Sequence, residues 1–195
     1  MDIYSISSNY IAYLKTLDKH VLDNEKDNGH IRPYVGIIFS VNKFNYFVPL
    51  SSPKYDKSDY IFKNGKKTIR RSVVPIHRIL IKSTNEKTGQ VKDNFLGKLK
   101  FSSMIPVPDS ELVKLDLDNW PDPKQKLIFQ NQIRYFRKNA SKLLNQHAKV
   151  IYQQKTTGTS GINYLDYTVN FTLLESEMDN YIPTNNYIPQ LLPTT

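Results

Sequence analysis

Ser51-Ser52-Pro53-Lys54 places two hydroxyls and an ammonium side by side, just after a run at 44–50 (FNYFVPL) that reads as a β-strand. Pro49 has no N–H for a ladder, so the strand ends or reaches an edge there, and the four residues emerge just beyond the sheet, where reactive groups are often carried. One reading is a hydroxyl and an ammonium held close together for chemistry. The other is a structural turn, for which Ser, Pro and Lys serve equally well. Metal chemistry has less material: His20, His30, His77 and His147 lie far apart with no HxH or HExxH spacing. Asp116 and Asp118 in LDLDN would share one face of a strand and suit a divalent ion, or stand as solvated carboxylates leading into a helix. No P-loop or GxGxxG is present, and 7 glycines leave little for a nucleotide cradle, so neither cofactor nor metal is expected.

The second chemical signal is charge. Lys+Arg 27 against Asp+Glu 18 gives +9, enough to attract a polyanion, most simply nucleic acid. Six of those nine charges fall within residues 54–78, where Lys54, Lys57, Lys63, Lys66, Lys67, Arg70, Arg71 and Arg78 face only Asp56 and Asp59. Tyr55, Tyr60 and Phe62 are interleaved with them. Cations neutralise phosphates and aromatic faces stack on unpaired bases. A solvated loop would carry the same composition. With no cysteine, disulfides, zinc–thiolate sites, iron–sulfur clusters and thiol nucleophiles are excluded.

The elements that must position these residues read as mixed α and β. The 195 residues suit one domain, and 13 Tyr and 9 Phe supply core area that the 39% hydrophobic content alone would leave lean. Ile3, Tyr4 and Ile6 predict a short strand. Ser7 or Ser8 then caps a helix with Tyr10, Tyr13, Leu14, Leu17 and Val21 on one stripe. Residues 34–41 (YVGIIFSV) and 44–50, joined by Asn42-Lys43, predict a hairpin. Further strands are expected at 76–81 and 95–107, separated by a polar loop at 83–94. Asn64-Gly65 signals a turn within the basic stretch. Trp120-Pro121-Asp122-Pro123 opens a helix whose apolar face runs through Leu127, Ile128, Phe129, Ile133 and Phe136, with a break near Asn139 before Leu143, Leu144 and Val150. Residues 156–161 form a loop, and 168–174 (TVNFTLL) alternates as a last strand should. The tail repeats NYIP at 180–183 and 186–189, as a disordered or a docking segment would. Strands adjacent in sequence favour antiparallel pairing. No apolar run approaches about 18 residues, and the N-terminus lacks a secretory signal's basic and apolar regions. A cytoplasmic protein is expected.

Several segments together resemble the ToxN/AbiQ family of type III toxin–antitoxin endoribonucleases. They are 3–11 (IYSISSNYI) with Tyr13-Leu14, 34–37 (YVGI), 49–54 (PLSSPK), Leu99-Lys100-Phe101 with 104–107 (MIPV), 115–117 (LDL) running into 134–139 (RYFRKN), and 170–175 (NFTLLE). Their order and spacing carry the likeness. The resemblance implies an α+β fold, a curved antiparallel β-sheet core with surrounding helices related to the Kid/MazF toxins. It implies metal-independent cutting of adenine-rich RNA to 2′,3′-cyclic phosphate and 5′-hydroxyl ends. It also implies inhibition by a small RNA antitoxin of tandem repeats, each a pseudoknot, closing with the toxin into a ring-like complex. A single toxin domain is expected over 1–178, with a basic loop at about 54–78 and a Pro-rich tail at 179–195.

The family motif, a hydroxyl residue followed by Ser-Pro-Lys, maps onto Ser51, Ser52 and Lys54. A basic residue ahead of YVGI maps onto Arg32, and an upstream Tyr of some members falls in the region of Asn28 and His30. Under this resemblance Lys54 and Arg32 would stabilise the phosphorane, Ser51 and Ser52 would donate to its oxygens, and His30 could exchange protons. Tyr10, Tyr55, Lys57, Lys63, Lys66, Lys67, Arg70, Arg71, His77 and Arg78 are the expected RNA contacts. The basic segment 57–71 and the tail depart from the family pattern. Basic charge with aromatics would equally suit a non-catalytic RNA-binding module, for which Ser52 would be dispensable. A DNA-binding regulator would need a helix-turn-helix pair, and none is evident.

Overall fold

A computed structural model describes residues 1–24, 31–54, 56–70, 72–84 and 88–183. Its centre is a five-stranded antiparallel sheet in the order β8-β3-β2-β1-β9. The strands are β1 (Asp2–Ile6), β2 (Tyr34–Val41), β3 (Phe44–Pro49), β8 (Ile105–Pro106) and β9 (Leu112–Lys114). β2 and β3 form the expected hairpin, and β1, the first strand, sits inside the sheet between β2 and β9. Gly36 is required in β2 because a Cβ there would stand 2.1 Å from the Phe47 ring. Two further hairpins flank the sheet: β4 (Tyr60–Lys63) with β5 (Lys66–Ile69), and β6 (Ile76–Thr84) with β7 (Val91–Lys100).

The expected strand at 95–107 is broken in two. β7 ends at Lys100, the buried 3-10 turn Phe101–Ser103 follows, and β8 resumes. Both pieces lie along the outer edge of β3, through Leu50↔Leu99 on one side of the turn and Phe47↔Ile105 on the other. The turn's backbone is engaged elsewhere: Phe101 N–H donates to Pro75 and Val169 N–H donates to Ser102. The polar loop expected at 83–94 is shorter than predicted, because Ser83 and Thr84 belong to β6 and residues 91–94 to β7.

Helix α1 (Ser8–Leu17) begins where Ser7 Oγ accepts the Tyr10 N–H, and buries Tyr10, Ile11 and Leu14. It stops before Val21, which is nonetheless buried, because Asp18 turns extended. The Asp18 carboxylate accepts the backbone N–H of Asn170 at 2.6 Å. That bond helps to explain the main departure from expectation: 168–174 is not a strand. Asn170 caps helix α4 (Phe171–Asn180) by accepting the Leu173 N–H, and Phe171, Leu174 and Glu175 form its buried face at helical spacing. Alternation of apolar residues over a few positions does not separate the two periods.

Helix α2 (Pro123–Tyr135) starts as predicted, with Asp122 as cap and Pro123 in the first turn. A π-helical segment, Phe136–Ala140, marks the break near Asn139 before α3 (Ser141–Thr156). Glu175, almost fully buried, accepts hydroxyl bonds from Tyr46 at 2.8 Å and Tyr152 at 3.3 Å, joining α4, β3 and α3 across the core. Packing extends past the expected domain boundary at 178, because the Tyr181 ring meets Tyr10 at 4.9 Å and Tyr13 at 5.1 Å. The second NYIP repeat lies outside the described residues. Among the described residues no helix is long and apolar enough to cross a membrane.

Candidate active site

Ser51 is held by backbone bonds that its sequence neighbours do not supply. Beyond Pro49, Leu50 N–H donates to the Pro33 carbonyl at 2.9 Å. Ser51 N–H donates to the Lys98 carbonyl at 2.9 Å, and Lys98 N–H donates to Ser51 Oγ at 3.1 Å. This approach needs Gly97: its φ is +124°, and a Cβ there would come within 2.4 Å of the Ser51 carbonyl oxygen. Gln132, buried on α2, donates its amide to the Leu96 carbonyl and closes the back of the contact. Thus the Ser51 hydroxyl is an acceptor that fixes the loop. Ser52, Pro53 and Lys54, the next three residues, are exposed. Among the described residues nothing bonds the Ser52 hydroxyl or the Lys54 ammonium.

Cations surround this segment from two other parts of the chain. Continuing the β2–β3 register one step past Leu50 and Pro33 sets Arg32 opposite Ser51. Arg32 is tied at both ends of its reach, its backbone N–H donating to Asn24 at 2.7 Å and its Nε to the Asp23 carbonyl at 2.9 Å. On the other side Lys98 and Lys100 share one face of β7. Burial, and then the positive charges of Arg32 and Lys98, push the Lys100 ammonium below its ordinary pKa. Lys100 therefore lies within electrostatic reach of both Arg32 and Lys98, the residue whose backbone bonds Ser51.

Lys98 has counter-ions. Its ammonium is bound by Asp56 and, at 2.8 Å, by Asp59. Asp59 is fully buried and also accepts Arg78 Nε at 2.9 Å. Lys98 and Ser58 hold the Asp56 carboxyl down at about 2. The expected basic loop is consequently a short 3-10 turn at Lys57–Asp59 followed by the β4–β5 hairpin, turned at Asn64-Gly65.

The other expected contacts divide sharply. Lys57, Lys63, Lys66, Lys67 and Arg70 are exposed. Tyr10, His77 and Arg78 are not on the surface, which corrects their assignment as RNA contacts. Tyr10 is fully buried and donates its hydroxyl to the Pro106 carbonyl at 2.8 Å. His77 is buried with its Nε2 at 2.9 Å from the Tyr135 hydroxyl, and Arg78 is the buried partner of Asp59. His30, Tyr55 and Arg71 lie outside the described residues. Lys98 and Lys100 were missed by sequence reasoning; the alternation in GKLK was the available signal.

Asp116 accepts N–H bonds from Asp118 and Asn119, so this pair builds a turn. Among the described residues no group of three His, Cys, Asp or Glu is placed to hold a metal. A groove of about 980 Å³ between the β9 edge and α2 contains Asp2, Lys114, Arg134 and Arg137, but Asp2 pairs with Lys114 at 2.9 Å and Arg137 at 2.7 Å. It contains none of the expected residues.

The family model for toxin ToxN of the type III toxin–antitoxin system matches residues 2–179. Endoribonuclease AbiQ of Lactococcus lactis subsp. lactis is 34% identical over 178 residues, spanning 91% of this chain and 87% of the relative. Endoribonuclease ToxN of Pectobacterium atrosepticum is 29% identical over 186 residues, spanning 93% and 94%. The solved structure of AbiQ, described as a lactococcal anti-phage endoribonuclease of the type III class, superposes with a TM-score of 0.71 at 29% identity, over 92% of this chain and 96% of that one. A structure described in the context of a processed non-coding RNA regulating a bacterial antiviral system gives 0.70 at 26% identity, over 93% and 99%.

Proposed function

Since the chain belongs to the ToxN family of type III toxin–antitoxin toxins, we propose that it is an endoribonuclease held inactive by an RNA antitoxin, and that its site is built on Ser52, Lys54 and Arg32. The observation that carries the placement is the pinned Ser51: it holds the following serine and lysine in solvent while cations converge from β7 and from the approach to β2.

The finer reading is cleavage of adenine-rich RNA without a metal ion. The 2′-oxygen of the nucleotide forms a bond to phosphorus as the P–O5′ bond breaks; the 2′-hydroxyl proton leaves, and the departing 5′-oxygen gains one. The products are a 2′,3′-cyclic phosphate and a 5′-hydroxyl. Negative charge grows on the phosphorane oxygens, and Lys54 and Arg32 would stabilise it, each such donor being worth about 3–4 kcal/mol. Ser52 would donate to a non-bridging oxygen. The half-buried Lys100 adds charge from a poorly solvated position, where it acts more strongly than in water. Ammonium and guanidinium groups fill the role a divalent ion would otherwise take and disfavour its entry. No phosphoserine is expected, because the 2′-hydroxyl is tethered beside the phosphorus.

A structured repeat RNA, folded as pseudoknots and closing a ring with the toxin, would inhibit by covering the same cations. Phage defence in the cytoplasm is the use we favour. The test is cleavage of adenine-rich RNA in EDTA by wild type and Ser52→Ala, with end-group analysis. Wild type alone should cut, with Ser52→Ala at least about 100-fold slower. Equal cutting by both would remove Ser52 from the site, and tight binding with no cutting by either would favour a binding module.

A further inference from the structure

We propose that one face of the β4–β5 hairpin is a stacking site for unpaired nucleotides of the bound RNA, with Phe62 as the platform. This rests on the reading of the chain as an RNA-acting protein and assigns a contact outside the serine segment. The register sets Phe62 directly opposite Lys67, on the same face as Tyr60 and Ile69. Lys67 Nζ lies 3.8 Å from the Tyr60 ring centroid, so this face alternates aromatic, cation, aromatic. Phe62 is 78% exposed, and the hairpin pairs with no other described strand that would cover it. Lys63 and Lys66 occupy the opposite face, and Arg70 follows β5. Phosphate attraction alone would need only the lysines. A solvent-exposed phenylalanine among them fits a base face, which a duplex hides and a single strand offers.

The hairpin is also preorganised. Asp59, immediately before β4, is buried between Arg78 and Lys98, and its carbonyl accepts the N–H of Arg70, immediately after β5. Both ends are thus fastened together, and to the residue whose backbone holds Ser51. Phe62 is three residues from Asp59, about 10 Å along the strand at roughly 3.3 Å per residue. The hairpin is thus held to the same strand that bonds Ser51, so stacking on Phe62 needs little ordering of the chain.

The test is fluorescence anisotropy with an unpaired adenine-rich RNA oligonucleotide and an RNA duplex of equal length, at one salt concentration. Ser52→Ala protein is the parent, so the RNA stays whole. Adding Phe62→Ala should weaken oligonucleotide binding by roughly 5- to 150-fold, the worth of one stacked base. Duplex binding should not change, and Phe62→Trp should restore the oligonucleotide affinity where Phe62→Leu does not. Unchanged oligonucleotide binding, or an equal loss for the duplex, would overturn the site. Cleavage by the wild type is scored separately. Cutting with no Phe62 effect removes the stacking site alone, while a Phe62 effect without cutting removes the nuclease reading and leaves this site standing.

Discussion

At the scale of single residues, adjacent serines have different work. Ser51 accepts the Lys98 N–H and cannot move without breaking two backbone contacts, whereas Ser52 presents a hydroxyl to solvent. Gly97 makes that division possible. A methyl group there meets the Ser51 carbonyl at 2.4 Å and requires a φ of +124° that other residues rarely adopt. Gly97→Ala should cost about 1–3 kcal/mol in stability, and should also slow cleavage by the protein that remains folded. Gly36→Ala is the contrast: its methyl meets the Phe47 ring at 2.1 Å, in the core and not at the site. Overpacking there should cost about 1–3 kcal/mol with the rate of the folded fraction unchanged. Urea denaturation paired with cleavage rates separates the two, and equal effects on rate would mean that Ser51 placement is not what Gly97 protects.

At the scale of elements, a buried carboxylate fastens the basic hairpin to β6 and β7. Asp59 faces Arg78 and Lys98, and removing its charge takes the buried carboxylate from the Arg78 guanidinium, while Lys98 keeps Asp56. Asp59→Asn should therefore destabilise by about 3–5 kcal/mol, the usual cost of breaking a buried pair. A loss under about 1 kcal/mol in urea would show that solvent reaches the cluster. The same cluster explains why Arg78 was misread from the sequence. Local charge density marks a basic stretch, but only the partner across the chain shows which cation is already neutralised.

For the whole molecule, an inward-facing histidine contributes to stability against acid. His77 on β6 meets Tyr135 of α2 and, at 5.6 Å between ring centroids, His147 of α3. Burial, and then the nearby His147, push its pKa from 6.5 down to about 4. The unfolded chain takes up that proton as pH falls below 6.5, while the folded chain waits until near 4. Stability contributed by neutral His77 is thus complete above pH 6.5 and lost as pH falls through that window, by roughly 3 kcal/mol in all. Urea midpoints across pH 4–7 should fall on the acid side, and His77→Leu should flatten the curve. A curve unaltered by that substitution would assign the slope to the carboxylates.

The α+β class, the β2–β3 hairpin, the Asp122-Pro123 helix start and the emergence of residues 51–54 just beyond the sheet were legible in the sequence. Each rests on local chemistry: β-branched and aromatic alternation, proline at a strand end, a cap and a first-turn proline. Local pattern failed where a long-range bond chose between two allowed structures. Residues 168–174 alternate as a strand would, yet Asn170 caps a helix and donates its backbone N–H to the carboxylate of Asp18 from the other end of the chain. Tyr10, His77 and Arg78 are of types that bind RNA, and only packing showed them to be interior. Lys98 and Lys100 join the site through a bulged approach at Gly97, whose need for glycine lies in a serine carbonyl 46 positions earlier. Residue types and near neighbours determined which groups this chain has for phosphate chemistry. The tertiary structure decided which of them reach the surface unpaired, because burial and distant counter-charges are not written in any short stretch of sequence.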